Sequence, residues 1–144
     1  GCKWIILDHL HMLVSSISEG DERRTIDNIM TRLRCLVEDT GAGMVLVSHL
    51  RRIEGRQGHE NGAEVQLGHA RGSGSIAQLA DCFISLERNQ QAEDPIEANT
   101  TRVRVLKSRY TGDTGVATHL IYDGDTGRLS ELDVMESEEP VVDF

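Results

Sequence analysis

The sequence KWIILDHL, Lys3–Leu10, decides how the first half of the chain folds. Its four apolar residues, Trp4–Leu7, run without interruption and end at Asp8. A short apolar run bounded by polar residues is typical of a strand buried on both faces of a parallel sheet. Met44–Val47, followed by a serine and His49, repeats this layout. Because ligands bind outside the carboxyl ends of parallel strands, the two runs predict one site that includes Asp8 and His49.

Length and composition indicate a single globular domain, or part of one. The chain has 144 residues, of which 38% are hydrophobic and 27% charged, enough for a sizeable core. No apolar run approaches the ~20 residues of a membrane helix, and no signal-peptide pattern opens the chain. The three cysteines lack CxxC spacing, which argues for a reducing compartment and against a disulfide framework or a zinc site. A start almost on a buried strand, without an initiator methionine, indicates a fragment of a cytoplasmic protein.

The negative charge is concentrated at the carboxyl end. The formal net charge is −9, and no Lys or Arg follows Arg128, whereas six Asp or Glu residues do. The rest of the chain is therefore nearly balanced, so the overall charge does not exclude nucleic acid as a partner of a local basic cluster. We predict a domain over residues 1–132 and a disordered acidic tail over residues 133–144, which ends in the apolar sequence PVVDF.

An amphipathic helix separates the two apolar runs. Apolar residues recur at helical spacing over Ile26–Val37, Asp21 is suited to cap the start, and Gly41 is suited to end the helix. Strand, helix and strand of these lengths predict a βαβ unit with parallel strands, with a polar loop over Ser15–Gly20 before the helix. The arginines on the polar helix face form either a solvated surface or a contact with a subunit or DNA.

The second half alternates between loops and strands. Arg51–Gly68 lacks apolar periodicity, and a loop that long is usually functional or disordered. Arg71–Ser75, RGSGS, is either an anion-binding turn or a plain turn before a short helix over Ile76–Ala80. Gln90–Thr100 is polar, holds a proline and predicts a loop. Four segments have strand patterns, and the last two flank a hairpin turn, DGDTG: Cys82–Leu86, Thr101–Leu106, Val116–Tyr122 and Arg128–Leu132.

Four polar side chains have the chemistry that nucleoside triphosphate hydrolysis needs. Asp8 matches a Walker-B metal ligand, although the same pattern is typical of a strand-terminal Asp that caps a turn. His49 is either a structural histidine or a sensor of a γ-phosphate or bound water. Lys107 and Arg109 belong to one strand face and form either an ordinary charged edge or an arginine finger with its neighbour. No GxxxxGK[ST] motif occurs, so the chain has no phosphate cradle and is not expected to hydrolyse nucleotide unaided.

Four motifs, WIILDHL, MVLVSHL, RGSGSIAQLADCFISLERNQQ and VRVLKSRYTGDTG, together resemble the C-terminal part of the RecA-like helicase domain of phage bifunctional primase–helicases, relatives of the DnaB and Twinkle ring helicases. The resemblance covers nearly the whole chain. It implies the C-terminal portion of a RecA-like P-loop ATPase core, an α/β fold with a mainly parallel sheet flanked by helices and a C-terminal β-hairpin. The phosphate-binding loop, the catalytic Glu and the primase half would then lie upstream.

The resemblance also implies an activity. It implies a homohexameric ring, in the cytoplasm of a phage-infected bacterium, that hydrolyses ATP or dTTP with Mg²⁺ and moves 5′→3′ on single-stranded DNA to unwind duplex. The acidic tail resembles a segment that holds the replicative DNA polymerase, and no membrane contact is implied. Two alternatives stay open: a RecA-type ATPase of recombination or regulation, which the RGSG loop and the tail argue against, and a non-catalytic fragment that tethers a polymerase.

Site residues are implied where the motifs match. Asp8 resembles the Mg²⁺-coordinating Walker-B Asp, and His49 resembles the γ-phosphate-responsive His. Gln78 matches the residue that couples a DNA-facing loop to the nucleotide, and Arg109 matches the trans-acting arginine finger, with Lys107 beside it. The other matching residues border the nucleotide base, namely Arg88 and Tyr122, or face DNA, namely Arg51, Arg52, Arg71, Gly72, Ser73 and Gly74.

Overall fold

The computed structural model of the chain describes residues 1–17, 21–53 and 58–132. The acidic tail predicted over residues 133–144 lies outside the described residues. The helices and strands are β1 (Trp4–Leu7), α1 (Leu10–Ile17), α2 (Glu22–Thr40), β2 (Gly43–Leu46), α3 (Ser75–Leu79), β3 (Cys82–Arg88), α4 (Pro95–Asn99), β4 (Thr100–Ser108), β5 (Gly115–Asp123) and β6 (Arg128–Glu131), with one turn of 3₁₀ helix at Leu67–His69.

β1 and β2 form a parallel pair, as the βαβ pattern predicts. Trp4 pairs with Gly43 and Leu7 with Leu46, so both strands end at the same edge. The prediction that β1 is buried on both faces is wrong, because Trp4 and Ile6 are 67% and 74% exposed. Trp4 and Ile6 project from the same face of β1, so in the described part of the chain no layer packs on that face.

α2 begins and ends where its capping residues predict. The Asp21 carboxylate accepts hydrogen bonds from the backbone N–H groups of Arg23 and Arg24, which have no partner within the helix. Gly41 ends the helix with φ 65°, in the left-handed region that favours glycine, and its N–H donates to the Val37 carbonyl at 2.9 Å.

The second half forms a four-stranded antiparallel sheet in the order β3-β4-β5-β6. The prediction of a mainly parallel sheet is therefore wrong for the described residues, since one strand pair is parallel and three are antiparallel. The physical reason is connection length, because a parallel crossover needs a dozen or more residues and the links within this sheet are shorter. The predicted hairpin is confirmed, with Asp123 paired to Arg128.

Two short helices occur where the sequence predicts loops. α1 extends into the predicted Ser15–Gly20 loop, because Leu10 and Val14 recur at helical spacing and are both buried. α4 occupies the predicted Gln90–Thr100 loop. Its proline stands at the start of the helix, where proline is tolerated, and Asp94 caps the Ile96 N–H at 3.1 Å. Among the described residues, none of the helices has the length and apolar character needed to cross a bilayer.

The core lies where α1, α2 and α3 pack together beside the parallel pair. Leu10 and Ile26 are fully buried, and the partly buried Leu46 and Phe83 pack against the same cluster. Aliphatic residues dominate the cluster, as expected for a chain in which 3% of the residues are aromatic. Its buried members are Leu10, Val14, Ile26, Ile29, Met30, Ala70 and Ile76.

Candidate functional site

Asp8 and His49 lie at the same edge of the parallel pair. Asp8 directly follows β1, and His49 is three residues beyond the end of β2. Backbone hydrogen bonds continue past the strand ends, because the Val47 N–H donates to the Leu7 carbonyl and the Leu10 N–H donates to the Val47 carbonyl, each at 2.9 Å. Both Asp8 and His49 are exposed, so a ligand at this edge can reach their side chains.

Two further histidines, His9 and His11, stand at this edge beside His49. The ring centroid of His49 is 4.0 Å from that of His9 and 5.6 Å from that of His11. One ligand atom from each of the three side chains lies within 4.8 Å of the others. Sequence reasoning missed His9 and His11. Two histidines two positions apart in the sequence DHLH could have indicated a pair of metal ligands. The third histidine, His49, joins them only because the strands pair.

Burial lowers the pKa of His11. The pKa lies below its ordinary value chiefly because burial disfavours the charged ring, and next because the Arg71 guanidinium is nearby. The Arg71 backbone and Glu22 act to raise the pKa without offsetting these causes, and in the described part of the chain neither ring nitrogen of His11 has a hydrogen-bond partner. Neutral imidazole is the form that ligates metals and accepts a hydrogen bond.

A cationic depression opens beside His49. The Arg51 N–H donates to the His69 carbonyl and the Arg71 N–H donates to the His49 carbonyl, each at 2.9 Å, so two loops run side by side. The depression has a volume of about 770 Å³ and carries the exposed arginines 51, 52 and 71. The structure thus brings Arg71 next to three predicted site residues, His49, Arg51 and Arg52, that lie about twenty positions earlier in the sequence. The lining residues are Ser48, His49, Leu50, Arg51, Arg52 and Arg71.

The RGSGS turn packs against α2. Gly72 has φ +104°, and a Cβ there would overlap Ile26 Cδ1, so this position favours glycine over any residue with a side chain. Ser73 is 7% exposed, its hydroxyl donates to the Asp27 carboxylate and it accepts the Ser75 N–H at 3.1 Å. The hydrogen bond from the Ser73 hydroxyl is the main cause that lowers the pKa of Asp27. The Ser73 side chain therefore faces α2, whereas the backbone of the turn stays exposed at Gly72 and at the following glycine.

Lys107 and Arg109 converge on the end of α3. The Lys107 Nζ donates to the carbonyls of Ala77 at 2.7 Å and Gln78 at 3.1 Å, and the Arg109 guanidinium donates to the Gln78 carbonyl at 3.2 Å. Arg109 also forms an ion pair with Asp81 at 2.7 Å, and Asp81 pairs with an arginine of α2. Three predicted site residues are thus in contact through the backbone of Gln78.

Arg88 and Tyr122 lie toward the opposite end of the antiparallel sheet. The Arg88 guanidinium donates to the Ala98 carbonyl at 2.5 Å and to the Asn99 side chain at 3.0 Å, which ties it to α4. Tyr122 is 40% exposed on β5. The strand register separates both residues from Lys107–Arg109 by most of the length of β4.

A buried carboxylate, Glu87, connects the sheet to the preceding loop. Its side chain is 3% exposed and pairs with Arg102 at 2.5 Å and Arg104 at 3.0 Å. It also accepts hydrogen bonds from the Ser85 hydroxyl at 2.8 Å and the Val65 N–H at 3.1 Å. Burial raises the pKa of Glu87, but these hydrogen bonds and cations more than offset that effect and leave the pKa below its ordinary value. Sequence reasoning missed this partner of the two arginines.

Comparison with known proteins identifies the class. The profile of the family described as DnaB-like helicase C terminal domain matches residues 1–131, so the chain belongs to that family and the resemblance seen in the sequence is confirmed. The chain is also 45% identical over 129 residues to the DNA helicase/primase of Enterobacteria phage T3. That alignment covers 90% of this chain and 22% of the relative, so the chain spans about a fifth of the length of this curated relative.

Proposed function

We propose that the chain is part of a replicative DNA helicase that couples nucleoside triphosphate hydrolysis to 5′→3′ translocation on single-stranded DNA and to duplex unwinding. One observation carries the proposal: Asp8 and His49 share an edge of the parallel pair, next to a depression rich in arginine. A carboxylate, an imidazole and clustered cations at the carboxyl edge of parallel strands suit a metal–phosphate site beside a nucleic-acid channel. Family membership supports the same function.

The exposed carboxylate of Asp8 fits a Mg²⁺–nucleotide complex with ATP or dTTP. Mg²⁺ is usually held by one or two carboxylates together with substrate phosphates and water, and Asp8 offers such a carboxylate at the strand end. The bound ion supplies neutralisation of phosphate charge. His49 contacts the γ-phosphate or its attacking water, and the short backbone from His49 to Arg51 carries any shift of that ring to the DNA-facing loop. Arg88 and Tyr122 border the base.

Arg109 acts on the phosphate of a neighbouring subunit in a homohexameric ring, with Lys107 beside it. Both residues hold the backbone of Gln78 in this chain. When Arg109 turns toward a neighbour's nucleotide, it releases a contact with the end of α3. Because the start of α3 adjoins the Gly72–Gly74 turn, this exchange couples the nucleotide state to a DNA-facing loop through Gln78.

DNA binding uses two adjacent loops. Arg51, Arg52 and Arg71 offer guanidinium groups to phosphates around one depression. The Gly72–Gly74 turn contributes backbone N–H groups, since the Ser73 hydroxyl is occupied by Asp27. Backbone and guanidinium contacts to phosphates carry no base specificity, which suits a motor that moves along any sequence.

The acidic tail, residues 133–144, holds the replicative DNA polymerase. The support for this part of the proposal is charge: the tail holds five acids and has no Lys or Arg, and it includes the apolar residues of PVVDF. An acidic strip with an aromatic residue suits a basic patch beside an apolar pocket. The protein accordingly works in the cytoplasm of a phage-infected bacterium.

The proposal is tested with the full-length protein of which this chain is a part, in rings that mix two variants. Arg109→Ala should lower DNA-stimulated hydrolysis by about 10³-fold or more, and Asp8→Ala should abolish hydrolysis. Mixing the two variants should restore activity, because some interfaces then combine an intact Asp8 with an intact Arg109 from the neighbour. Arg128→Ala, an exposed arginine on β6, serves as the control and should hydrolyse nucleotide normally.

Two outcomes contradict the proposal at different levels. If mixed rings gain no activity at any mixing ratio, Arg109 does not act in trans. If Asp8→Ala still hydrolyses nucleotide and unwinds a forked duplex, the assignment of the edge as a metal–phosphate site is wrong.

A further inference from the structure

We propose that His9, His11 and His49 form a site for a divalent transition-metal ion of the zinc class, and that an ion bound there withdraws His49 from the nucleotide. The site itself is independent of the proposed function. Its consequence for hydrolysis rests on the proposed function, because it assumes that His49 contacts the γ-phosphate.

The geometry of the three rings is close to that of a metal site. Their ligand atoms lie within 4.8 Å of one another. The centre of a triangle with sides no longer than this is at most about 2.8 Å from each corner. Since Zn–N bonds are about 2.0–2.1 Å long, each nitrogen needs to move by about 0.7 Å or less to reach a common ion. Side-chain rotation alone covers such a distance.

The unused hydrogen-bonding capacity of the rings points to a ligand. His9 Nδ1 and both ring nitrogens of His11 are buried and have no hydrogen-bond partner within the described ranges. A buried polar atom without a partner costs about 1–3 kcal/mol, so such atoms are rare unless something else satisfies them. An ion between the rings satisfies one nitrogen of each ring and leaves a coordination position open for water, as in three-histidine zinc sites.

The fold fixes the positions of the ligands. Leu10, which stands between His9 and His11, is fully buried and its N–H donates to the Val47 carbonyl at 2.9 Å. That bond ties the start of α1 to the end of β2, two residues before His49. The cluster is therefore built on a core anchor and on the end of a strand pair, which are rigid supports for a ligand set.

The donor atoms select the class of ion. Imidazole nitrogen suits Zn²⁺, Ni²⁺, Co²⁺ and Cu²⁺, whereas Mg²⁺ requires oxygen ligands. The three histidines and Asp8 would therefore bind different ions. Arg71 is the nearby cation that opposes a metal, and Glu22 partly compensates it at 3.6 Å. The lack of CxxC spacing does not bear on this site, because the tertiary structure assembles its ligands from histidines.

Cobalt titration tests the site directly. The 144-residue chain should bind one equivalent of Co²⁺ with the visible bands of a nitrogen-coordinated ion and without a thiolate charge-transfer band. His9→Gln and His11→Gln should each weaken binding at least about tenfold, whereas His119→Gln, on β5, should bind as the parent does. Circular dichroism of each variant reports whether it is folded. Because the two variants each remove a different ligand, they test Co²⁺ binding at the site independently.

The consequence for hydrolysis is tested with Zn²⁺ on the intact protein. Zn²⁺ should inhibit DNA-stimulated hydrolysis of the parent, and His11→Gln should keep its basal hydrolysis while losing that inhibition. If Co²⁺ binding is unchanged in His9→Gln and His11→Gln, the metal site is refuted. If Co²⁺ binds as expected but Zn²⁺ inhibits parent and His11→Gln equally, the site stands and its link to His49 in hydrolysis is refuted.

Discussion

The imidazole rings of His9 and His49 lie with their centroids 4.0 Å apart, although each follows a different strand and α2 lies between them in the chain. The contact depends on the parallel register in which Leu7 pairs with Leu46. Sliding that register by one residue would shift the ends of the two strands relative to each other by about 3.3 Å, and with them the two rings. The distance between these two rings therefore shows whether β1 and β2, which carry the residues of the candidate site, are paired in this register.

We expect Leu10→Ala to destabilise the chain by about 3 kcal/mol, because a fully buried leucine leaves a cavity when truncated. Unfolding in urea measures the change, and histidine ring NMR shifts should show that the three rings separate. Met12→Ala is the matched control on the same helix, since Met12 is 61% exposed, and it should change the free energy of unfolding by less than about 1 kcal/mol. Equal losses in the two variants would contradict the assigned core.

Two glycines of the RGSGS turn should respond differently to alanine. Gly72→Ala should cost about 2–3 kcal/mol, because φ +104° strains any L side chain and the new Cβ meets Ile26. Gly74→Ala should be neutral or slightly stabilising, because Gly74 has φ −64° and nothing lies within 4 Å of a Cβ there. Thermal unfolding of both variants checks the contrast, and a loss of stability in Gly74→Ala alone would show that the turn has another conformation.

Glu87→Gln should destabilise the chain by about 3 kcal/mol, because it leaves Arg102 and Arg104 without their buried counter-charge. Glu64 contacts the same two arginines at 3.5 and 3.6 Å but its side chain is 64% exposed. Glu64→Gln should therefore change the free energy of unfolding by less than about 1 kcal/mol. Urea unfolding of both variants measures the difference, and similar losses would mean that burial does not decide the strength of these pairs.

The same carboxylate should contribute to acid sensitivity. The pKa of Glu87 is lower in the folded state than in the unfolded chain, so the unfolded state takes up its proton first as the pH falls. Its contribution to stability is fully present above the ordinary glutamate pKa of 4.5 and is lost as the pH falls from there through the lower folded-state pKa. Unfolding measured from pH 7 to pH 3 should fall less steeply in Glu87→Gln than in the parent. An unchanged slope would contradict the lowered pKa.

Removing Arg51 and Arg52 together should weaken binding of single-stranded DNA by the intact protein. The slope of log K against log salt concentration changes by about 0.7 for each phosphate contact with a single strand. If both arginines contact phosphates, the magnitude of this slope should therefore decrease by about 1.4. Fluorescence anisotropy at several salt concentrations measures it. Arg128→Ala should leave the slope unchanged. If the double variant has the same slope as the parent, Arg51 and Arg52 do not contact DNA phosphates.

Short-range patterns in the sequence predicted much of the secondary structure. The caps of α2 at Asp21 and Gly41 and the hairpin turn at Asp123 follow from residues that act within a few positions of themselves. The shared strand edge of Asp8 and His49 follows from the βαβ pattern, which implies parallel strands. α1 and α4 were missed for a related reason. A one- or two-turn helix has too few repeats for periodicity to reveal it, and packing or a capping residue then decides its formation.

By itself, the sequence determined the βαβ unit, the hairpin and the family, because periodicity, capping and motif spacing are local properties of the chain. Only the tertiary structure decided that three histidines meet at one edge, that Arg102 and Arg104 share Glu87, and that Lys107 and Arg109 hold the backbone of Gln78. These contacts join residues far apart in the sequence. They form only when strand register and core packing bring their backbones within reach, and no local pattern encodes that distance.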